Sequence, residues 1–333
     1  MASQTTTSSP ATDVQSSIPA TQVSLSRVGV TGVEKVIRVK AGGAENLFYA
    51  NFECFVDLNA RQAGVHMSRF EEIVGEAIDE VVLSEAFRAE ILAAHIAERV
   101  RERQGGLRAE VSVTARYPET VSTPATGQRT QEIYVLFGTA VASERGTRTL
   151  TGVQAQGMTA CPCAQEMVAG LARERLAEQG FDGGQIERVI EAVPIATHNQ
   201  RGIGTLHIGC PEGGPAWIDA PELLRIVEQS MSSEIYELMK RPDELAVVAK
   251  AHDQPRFVED CVREMVRRVV DGYPDLPAGA FVMARQENLE TIHRHNVVAE
   301  RYGLLGDLGS ELAGDELQSR HLTMREWLEA PSA

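Results

Sequence analysis

Between residues 47 and 58 the chain alternates. Phe48, Ala50, Phe52, Cys54, Val56 and Leu58 share one face, Asn51, Glu53 and Asp57 the other, with Phe55 as the exception. Period two with aromatic and branched residues predicts a half-buried strand. Residues 109–117 repeat the pattern, with Val111, Val113 and Ala115 inward and Glu110, Ser112, Thr114 and Arg116 outward. Between the two the period lengthens. Ser68-Arg69-Phe70-Glu71 has the form of a capping box, and Phe70, Ile73, Val74, Ala77, Ile78 and Val81 follow as a helical stripe. Ser84 is placed to cap a second helix whose stripe includes Leu92, Ile96 and Val100. Strands are predicted near 132–142 and 147–156.

The second half reads as the same plan again. A helix follows Cys163 and stops at Gly180, and a short one covers 184–192. A strand is predicted over 203–210. A helix over 222–239 ends near Arg241-Pro242, because proline disfavours helix just before it. Pro255 opens another helix with the stripe Phe257, Val258, Cys261, Val262, Met265, Val266, Val269 and Val270. A strand over 280–285 follows, and the polar stretch after Gly303 is helical from Thr323. Strands, two helices, then strands, done twice, predicts an α+β chain with antiparallel sheets and helices on one face. The expected division is a flexible Ser/Thr-rich tail over 1–21, a first module over 22–150, a second over 151–303 carrying most of the site, and a polar C-terminal tail over 304–333.

Composition narrows the function classes. The chain has 333 residues, 43% hydrophobic and 24% charged, and a net charge of −15. So acidic a surface argues against broad contact with nucleic acid or anionic membrane, and no apolar run is long enough to span a bilayer. The first basic side chain is Arg27, so a secretory or mitochondrial leader is not expected, and residence is expected to be cytoplasmic. Five scattered cysteines, an odd number, do not form a secreted disulfide framework. Any special one is a ligand or a reactive thiol.

Several strings could carry chemistry. Cys161-Pro162-Cys163 sits where a strand gives way to a helix. The positive end of a helix dipole favours a thiolate, a strong ligand for zinc or ferrous iron; the plain alternative is two small residues at a turn. Thr197-His198-Asn199-Gln200-Arg201-Gly202 offers an imidazole ligand and, in Arg201, a grip on phosphate. Lys240-Arg241-Pro242-Asp243-Glu244 places two cations beside two carboxylates, which suits phosphate and metal as well as a capped helix end. Glu259 lies early in an amphipathic helix. His293 and His295 form an HxH pair able to bind metal or shuttle protons. His66, just before a helix, is a turn residue or a site edge.

Taken together and in this order, these strings, with Gly64-Val65-His66-Met67-Ser68-Arg69-Phe70 and Phe257-Val258-Glu259-Asp260, resemble the type IB GTP cyclohydrolases and their archaeal relatives. The resemblance covers most of the chain from about Val23 to Ala299. It implies a tunnelling fold (T-fold) of two tandem ββααββ modules, assembled as a homotetramer with active sites at subunit interfaces. It implies that GTP is hydrolysed at C8, formate leaves, and a 7,8-dihydroneopterin phosphate forms, as the triphosphate or the 2′,3′-cyclic phosphate, as the entry step to folate and related pterins. One divalent metal per subunit, Fe²⁺, Zn²⁺ or Mn²⁺, is implied. Its ligands by position are Cys161, His198 and Glu244, with Cys163 a further candidate or a gate. Glu259 matches the carboxylate that anchors guanine. His293 or His295 is the proton carrier. His66, Arg69, Arg201, Lys240 and Arg241 are candidates for triphosphate and ribose. The stretch 164–194 separates the Cys and His strings, as in the archaeal-type form. Alternatives are another purine- or pterin-converting enzyme on the same fold, or a non-catalytic metal- or thiol-sensing oligomer.

Overall fold

The computed structural model describes residues 14–41, 44–81, 88–214, 218–315 and 321–330. Most of the expected N-terminal tail, and Ser84 with its expected cap, lie outside the described residues. In chain order the elements are β1 (Leu25–Ala41), β2 (Ala44–Leu58), α1 (Met67–Val81), α2 (Ala89–Gln104), β3 (Arg108–Ser122), β4 (Arg129–Ser143), β5 (Gly146–Ala160), α3 (Pro162–Glu178), α4 (Gly183–Ala192), β6 (Asn199–Cys210), α5 (Ala220–Gln229), β7 (Ser233–Glu234), α6 (Arg241–Asp253), α7 (Val258–Gly272), β8 (Phe281–Leu289), β9 (Val297–Leu304), α8 (Leu305–Leu312) and α9 (Met324–Glu329).

Among the described residues all nine strands join one antiparallel sheet, in the order β1-β2-β3-β4-β5-β6-β8-β9, with β7 paired to β5. The inward faces expected for β2 and β3 are the observed ones. They bury against α1 and α2 in a core that includes Phe52, Phe70, Ile73, Leu92, Ile96 and Val113. A second core lies under α5 and α7 and takes Val153, Leu206, Leu223, Cys261, Met265 and Val282. On the other face of the sheet, Trp327 of α9 packs on Leu150 and Phe281. Thr323 caps α9 by accepting from the Glu326 amide.

The α+β class holds, but the tunnelling fold of two tandem ββααββ modules does not. The strands form one unbroken sheet rather than two. The second half does not repeat the first: α3 and α4 stand between β5 and β6, and α5, β7, α6 and α7 separate β6 from β8. The helix expected over 222–239 is the clearest local cause. It stops at Gln229, because Ser230 turns its hydroxyl back onto the Ile226 carbonyl at 2.6 Å and Ser232 accepts from the Ala160 amide at 3.1 Å. Serines compete with helix through such bonds, and the chain runs on into β7 instead. Gly180, the expected stop of α3, does lie just past it with φ 87°, a left-handed value that suits glycine.

One buried carboxyl is poorly served. Glu90, in the first turn of α2, is 3% exposed, and its Oε1 has no hydrogen-bond partner among the described residues. Burial pushes its pKa up from 4.5 to about 7. Between these values the folded chain holds a proton that the unfolded chain has released, so stability falls as pH rises through this window. Glu90→Gln is expected to be more stable than the parent at pH 8 by about 1–3 kcal/mol, with the gain gone near pH 4.5. Urea melts at the two pH values check this.

Candidate active site

The pairing of β5 with β6 brings the two central strings together. Ala160 faces Asn199 in the antiparallel register, and the next pair out is Cys161 and His198, whose amide and carbonyl bond at 3.1 Å. The hydroxyl of Thr197 also donates to the Cys161 carbonyl at 2.7 Å. The insertion that separates these residues along the chain therefore leaves from the end of a ladder, as α3 and α4, and does not part them. Pro162 opens α3 and Cys161 caps it: its Sγ accepts from the Ala164 amide at 3.5 Å. The Gln165 amide group donates to the carbonyls of Ile195 and His252, at 3.2 and 2.7 Å, and ties α3 to the loop before β6 and to α6.

The same ladder end receives α7. The Arg256 amide donates to the Ala160 carbonyl at 3.0 Å, and its guanidinium donates to the Gln229 carbonyl at 2.9 Å. This sets Phe257, Val258 and Glu259 beside Cys161. Phe257, expected in the apolar stripe, is instead exposed at the helix cap. The turn after β8 closes the site. The Thr291 hydroxyl donates to the Asn199 carbonyl at 3.1 Å, and the rings of His293 and His295 stack with centroids 5.2 Å apart.

These elements enclose a cavity of about 500 Å³. Cys161, His198, Glu259, His293 and His295 line it, five of the residues expected from sequence. His198 Nδ1 meets Gln200 Oε1 at 3.1 Å, which fixes the ring and leaves Nε2 for another partner. Glu290, which stands in the same string as His293 and His295 but carries no assigned role in the sequence analysis, also lines the cavity. Its side chain is 7% exposed, its Oε2 lies 3.9 Å from His198 Nδ1, and that oxygen has no hydrogen-bond partner among the described residues. Gln200, Arg256 and Asn288 complete the polar lining. A signal was present: Gln286 and Asn288 of β8, and Glu290 just past its end, continue the inward parity of Val282 and Ala284. Polar side chains on a buried strand face need a reason.

Other expected residues lie outside this cavity in the single chain. Glu244 is exposed in the first turn of α6, and Lys240 and Arg241 are exposed at its start. Arg201 is exposed on β6, and Cys163 is exposed in the first turn of α3. Arg69 donates to the Arg103 carbonyl at 3.3 Å, and the His66 backbone is bonded to the Gln104 side chain, at the junction of α1 and α2. Among the described residues no three His, Cys, Asp or Glu side chains lie close enough together to form a ready metal cage. Within Lys240-Arg241-Pro242-Asp243-Glu244 the buried residue is Asp243, which accepts from the Ala125 and Thr126 amides and the Thr126 hydroxyl at 2.9, 2.8 and 2.6 Å. Burial pushes this carboxyl up, but hydrogen bonds from Thr126, Lys240 and Ala125 outweigh it and hold its pKa below the usual carboxylate range. Asp243 thus clips the β3–β4 turn to α6 and sets where Lys240 and Glu244 stand.

The sheet is shaped around the site. A Cβ on Gly202 would lie 2.3 Å from Gln286 Nε2 and 3.0 Å from Met231 Sδ. Gly202→Ala is expected to cost about 1–3 kcal/mol of stability and to weaken ligand binding in the cavity. Thermal melts and binding titrations check both.

Fold and cavity together define an α+β protein whose pocket holds a thiol, an imidazole and carboxylates beside a histidine pair. Comparison with known proteins places it further. Residues 11–299 match the family model described as type I GTP cyclohydrolase folE2. The chain is 42% identical over 306 residues to GTP cyclohydrolase MptA of Methanothermobacter thermautotrophicus, covering 90% of this chain and 95% of that protein. It is 37% identical over 310 residues to GTP cyclohydrolase MptA of Methanocaldococcus jannaschii, covering 91% and 98%. The chain belongs to the type I GTP cyclohydrolase folE2 family. Among solved structures, a hyper-thermostable AgUricase mutant matches with a TM-score of 0.51 at 9% identity, covering 84% of this chain and 92% of that one, a likeness of fold alone. No helix among the described residues is long and apolar enough to cross a membrane.

Proposed function

We propose that this chain is a metal-dependent GTP cyclohydrolase that hydrolyses the guanine ring of GTP at C8, releases formate and forms a 7,8-dihydroneopterin phosphate. The observation that carries the reading is the convergence of Cys161 and His198, across the β5–β6 ladder, on one cavity with Glu259, Glu290 and the histidine pair. The donor set fits a divalent cation. A thiol whose Sγ accepts only a long bond from one amide, an imidazole with a free Nε2, and a buried carboxylate oxygen without a partner suit Zn²⁺, Fe²⁺ or Mn²⁺. When bound, such an ion supplies hydroxide at neutral pH by lowering the pKa of a water.

The remaining roles fall to this chain's own side chains. Cys161 and His198 hold the ion. The family resemblance adds Glu244 as its carboxylate and Cys163 as a reserve thiol, and the cavity itself adds Glu290. Metal content of Glu244→Gln and Glu290→Gln decides which carboxylate binds. Glu259 accepts the N1–H and N2–H donors of guanine and orients C8 away from itself. The His293–His295 pair carries protons to the ring nitrogens as the imidazole ring opens.

Arg201, Lys240 and Arg241, exposed on their own chain, and His66 and Arg69, at the far junction of α1 and α2, bind triphosphate and ribose across subunit interfaces of a homotetramer. This accounts for their distance from the single-chain cavity. Mixing two inactive variants, Cys161→Ala and Lys240→Ala, tests the shared site: activity returns in the mixed oligomer only if sites are built from two chains.

The test of the function is direct. Purified protein loaded anaerobically with Fe²⁺ or Mn²⁺ and given GTP is expected to release formate in step with a product that becomes a fluorescent pterin on oxidation. Absence of formate with Fe²⁺, Mn²⁺ and Zn²⁺ alike contradicts the reading. The phosphate pattern of that pterin distinguishes the triphosphate from the cyclic phosphate.

A further inference from the structure

The inward face of β8 carries Gln286 and Asn288, with Glu290 just past the strand's end, where a strand under a helix layer normally carries apolar side chains. Gln286 is fully buried and Asn288 is 3% exposed. The two are joined: Gln286 Nε2 donates to Asn288 Oδ1 at 3.1 Å. The neighbouring strand makes room for this pair by having no side chains there. Asn288 stands opposite Gly202 in the β6–β8 register and Gln286 opposite Gly204, and a Cβ on either glycine would press on the Gln286 amide group, at 2.3 and 3.1 Å. Gln286 Oε1 has no partner among the described residues. Asn288 accepts the bond between the two amides through its Oδ1. Its Nδ2 has no partner among the described residues, is not an enclosed orphan, and belongs to a residue that lines the cavity. In this arrangement the group that Asn288 leaves for a ligand is its Nδ2 donor.

We propose that Asn288 is a specificity-determining residue whose side-chain N–H, oriented by Gln286, donates to the O6 oxygen of the guanine ring. The inference rests on the reading of this cavity as a GTP site. Guanine shows two adjacent donors, N1–H and N2–H, and one acceptor, O6, along a single edge. A carboxylate only accepts, so Glu259 can serve the two donors and leaves O6 to be met by a donor. Asn288 lies on the strand face that α7 covers, and Glu259 is in the first turn of α7, so both reach the same cavity. Adenine reverses the edge. Its amino group would face the Asn288 donor and its N1 lone pair would face the Glu259 carboxylate, and a site built to hydrogen-bond one pattern rejects the other strongly. Gln286 touches no substrate in this scheme and acts as a positioning residue.

The test compares GTP with 6-thioguanosine triphosphate, which keeps both donors and replaces O6 by a weakly accepting sulfur. Dissociation constants and KM are measured for wild type, Asn288→Ala and Asn288→Asp in the metal-loaded enzyme. Wild type is expected to prefer GTP by about tenfold, the worth of one buried hydrogen bond. In Asn288→Ala the preference should collapse to within about twofold, with kcat for GTP changed far less than KM. In Asn288→Asp, which keeps the shape and places an acceptor against O6, GTP affinity should fall by about 100-fold. An O6-over-S6 preference that survives in Asn288→Ala overturns the proposal, as does its absence in wild type, a comparison that needs no variant to fold. Failure of wild type to bind or hydrolyse GTP at all would instead remove the functional reading beneath it.

Discussion

Cys161→Ala is expected to lose its divalent metal and, with it, GTP turnover. The residue sits at a point where three elements meet: it ends the β5–β6 ladder against His198, caps α3, and lies beside the α7 residues placed by Arg256. Alanine keeps the backbone bonds to His198 and Gln165, which use main-chain atoms, and removes only the sulfur. The fold should therefore survive while one of the proposed ligands disappears. Loss of a supporting partner around a metal typically costs 10–100-fold, and loss of a ligand that also caps the adjoining helix should exceed that, by about 10³-fold or more in kcat/KM. His198→Ala is expected to match it. Metal analysis after dialysis and formate assays on both variants provide the check, with circular dichroism to show that the sheet is intact.

The second large effect is at the carboxylate proposed to hold guanine. Glu259→Gln should leave metal content unchanged and sharply reduce affinity for GTP. The glutamine keeps the shape but can present only one neutral acceptor, and it turns a donor toward the N1–H or N2–H of the base. Two hydrogen bonds to a charged group at roughly 1.5–3 kcal/mol each correspond to about 10²–10⁴ in kcat/KM. Inosine triphosphate, which lacks the N2 amine, should already lose part of that affinity with wild type and lose little more with the variant. A Glu259→Gln protein that binds GTP normally but has lost its metal would contradict the guanine-binding role assigned to Glu259.

Local pattern carried far in this chain. The inward faces of β2 and β3, the stripes of α1 and α7, and the stop of α3 at Gly180 all follow from period and from turn chemistry in short windows. The global arrangement did not follow. Repeated strand–helix–strand order suggested two separate modules, but whether the halves share one sheet depends on β5 pairing with β6 across the α3–α4 insertion, which no window contains, and they do pair. The break in the expected helix at Gln229 depends on Ser232 meeting the Ala160 amide, a partner far away in sequence.

The site divides in the same way. Cys161 and His198 were recognisable by residue type and string. Their adjacency is a consequence of strand register and is visible only in the sheet. Glu290 and Asn288 were hidden because each is one polar residue among many near a strand end. Only the parity shared with Val282 and Ala284 distinguishes them, and that parity has meaning once α7 is known to cover that face. Asp243 shows what a string alone does not reveal. Its string reads as ligand chemistry, yet its carboxylate is used up by the Ala125–Thr126 turn, and the exposed residues around it act in the single chain as a helix start.

The proposed chemistry requires Cys161 and His198 to hold one ion between them. Cobalt(II) loading of the purified protein measures this most directly, since a cobalt–thiolate bond gives an intense near-ultraviolet charge-transfer band and the visible bands report coordination geometry. Wild type should bind one equivalent per chain with the thiolate band present. Cys161→Ala should lose the band, and His198→Ala should weaken binding and shift the visible bands. A cobalt spectrum with no thiolate band in wild type, or one unchanged by His198→Ala, would contradict the account.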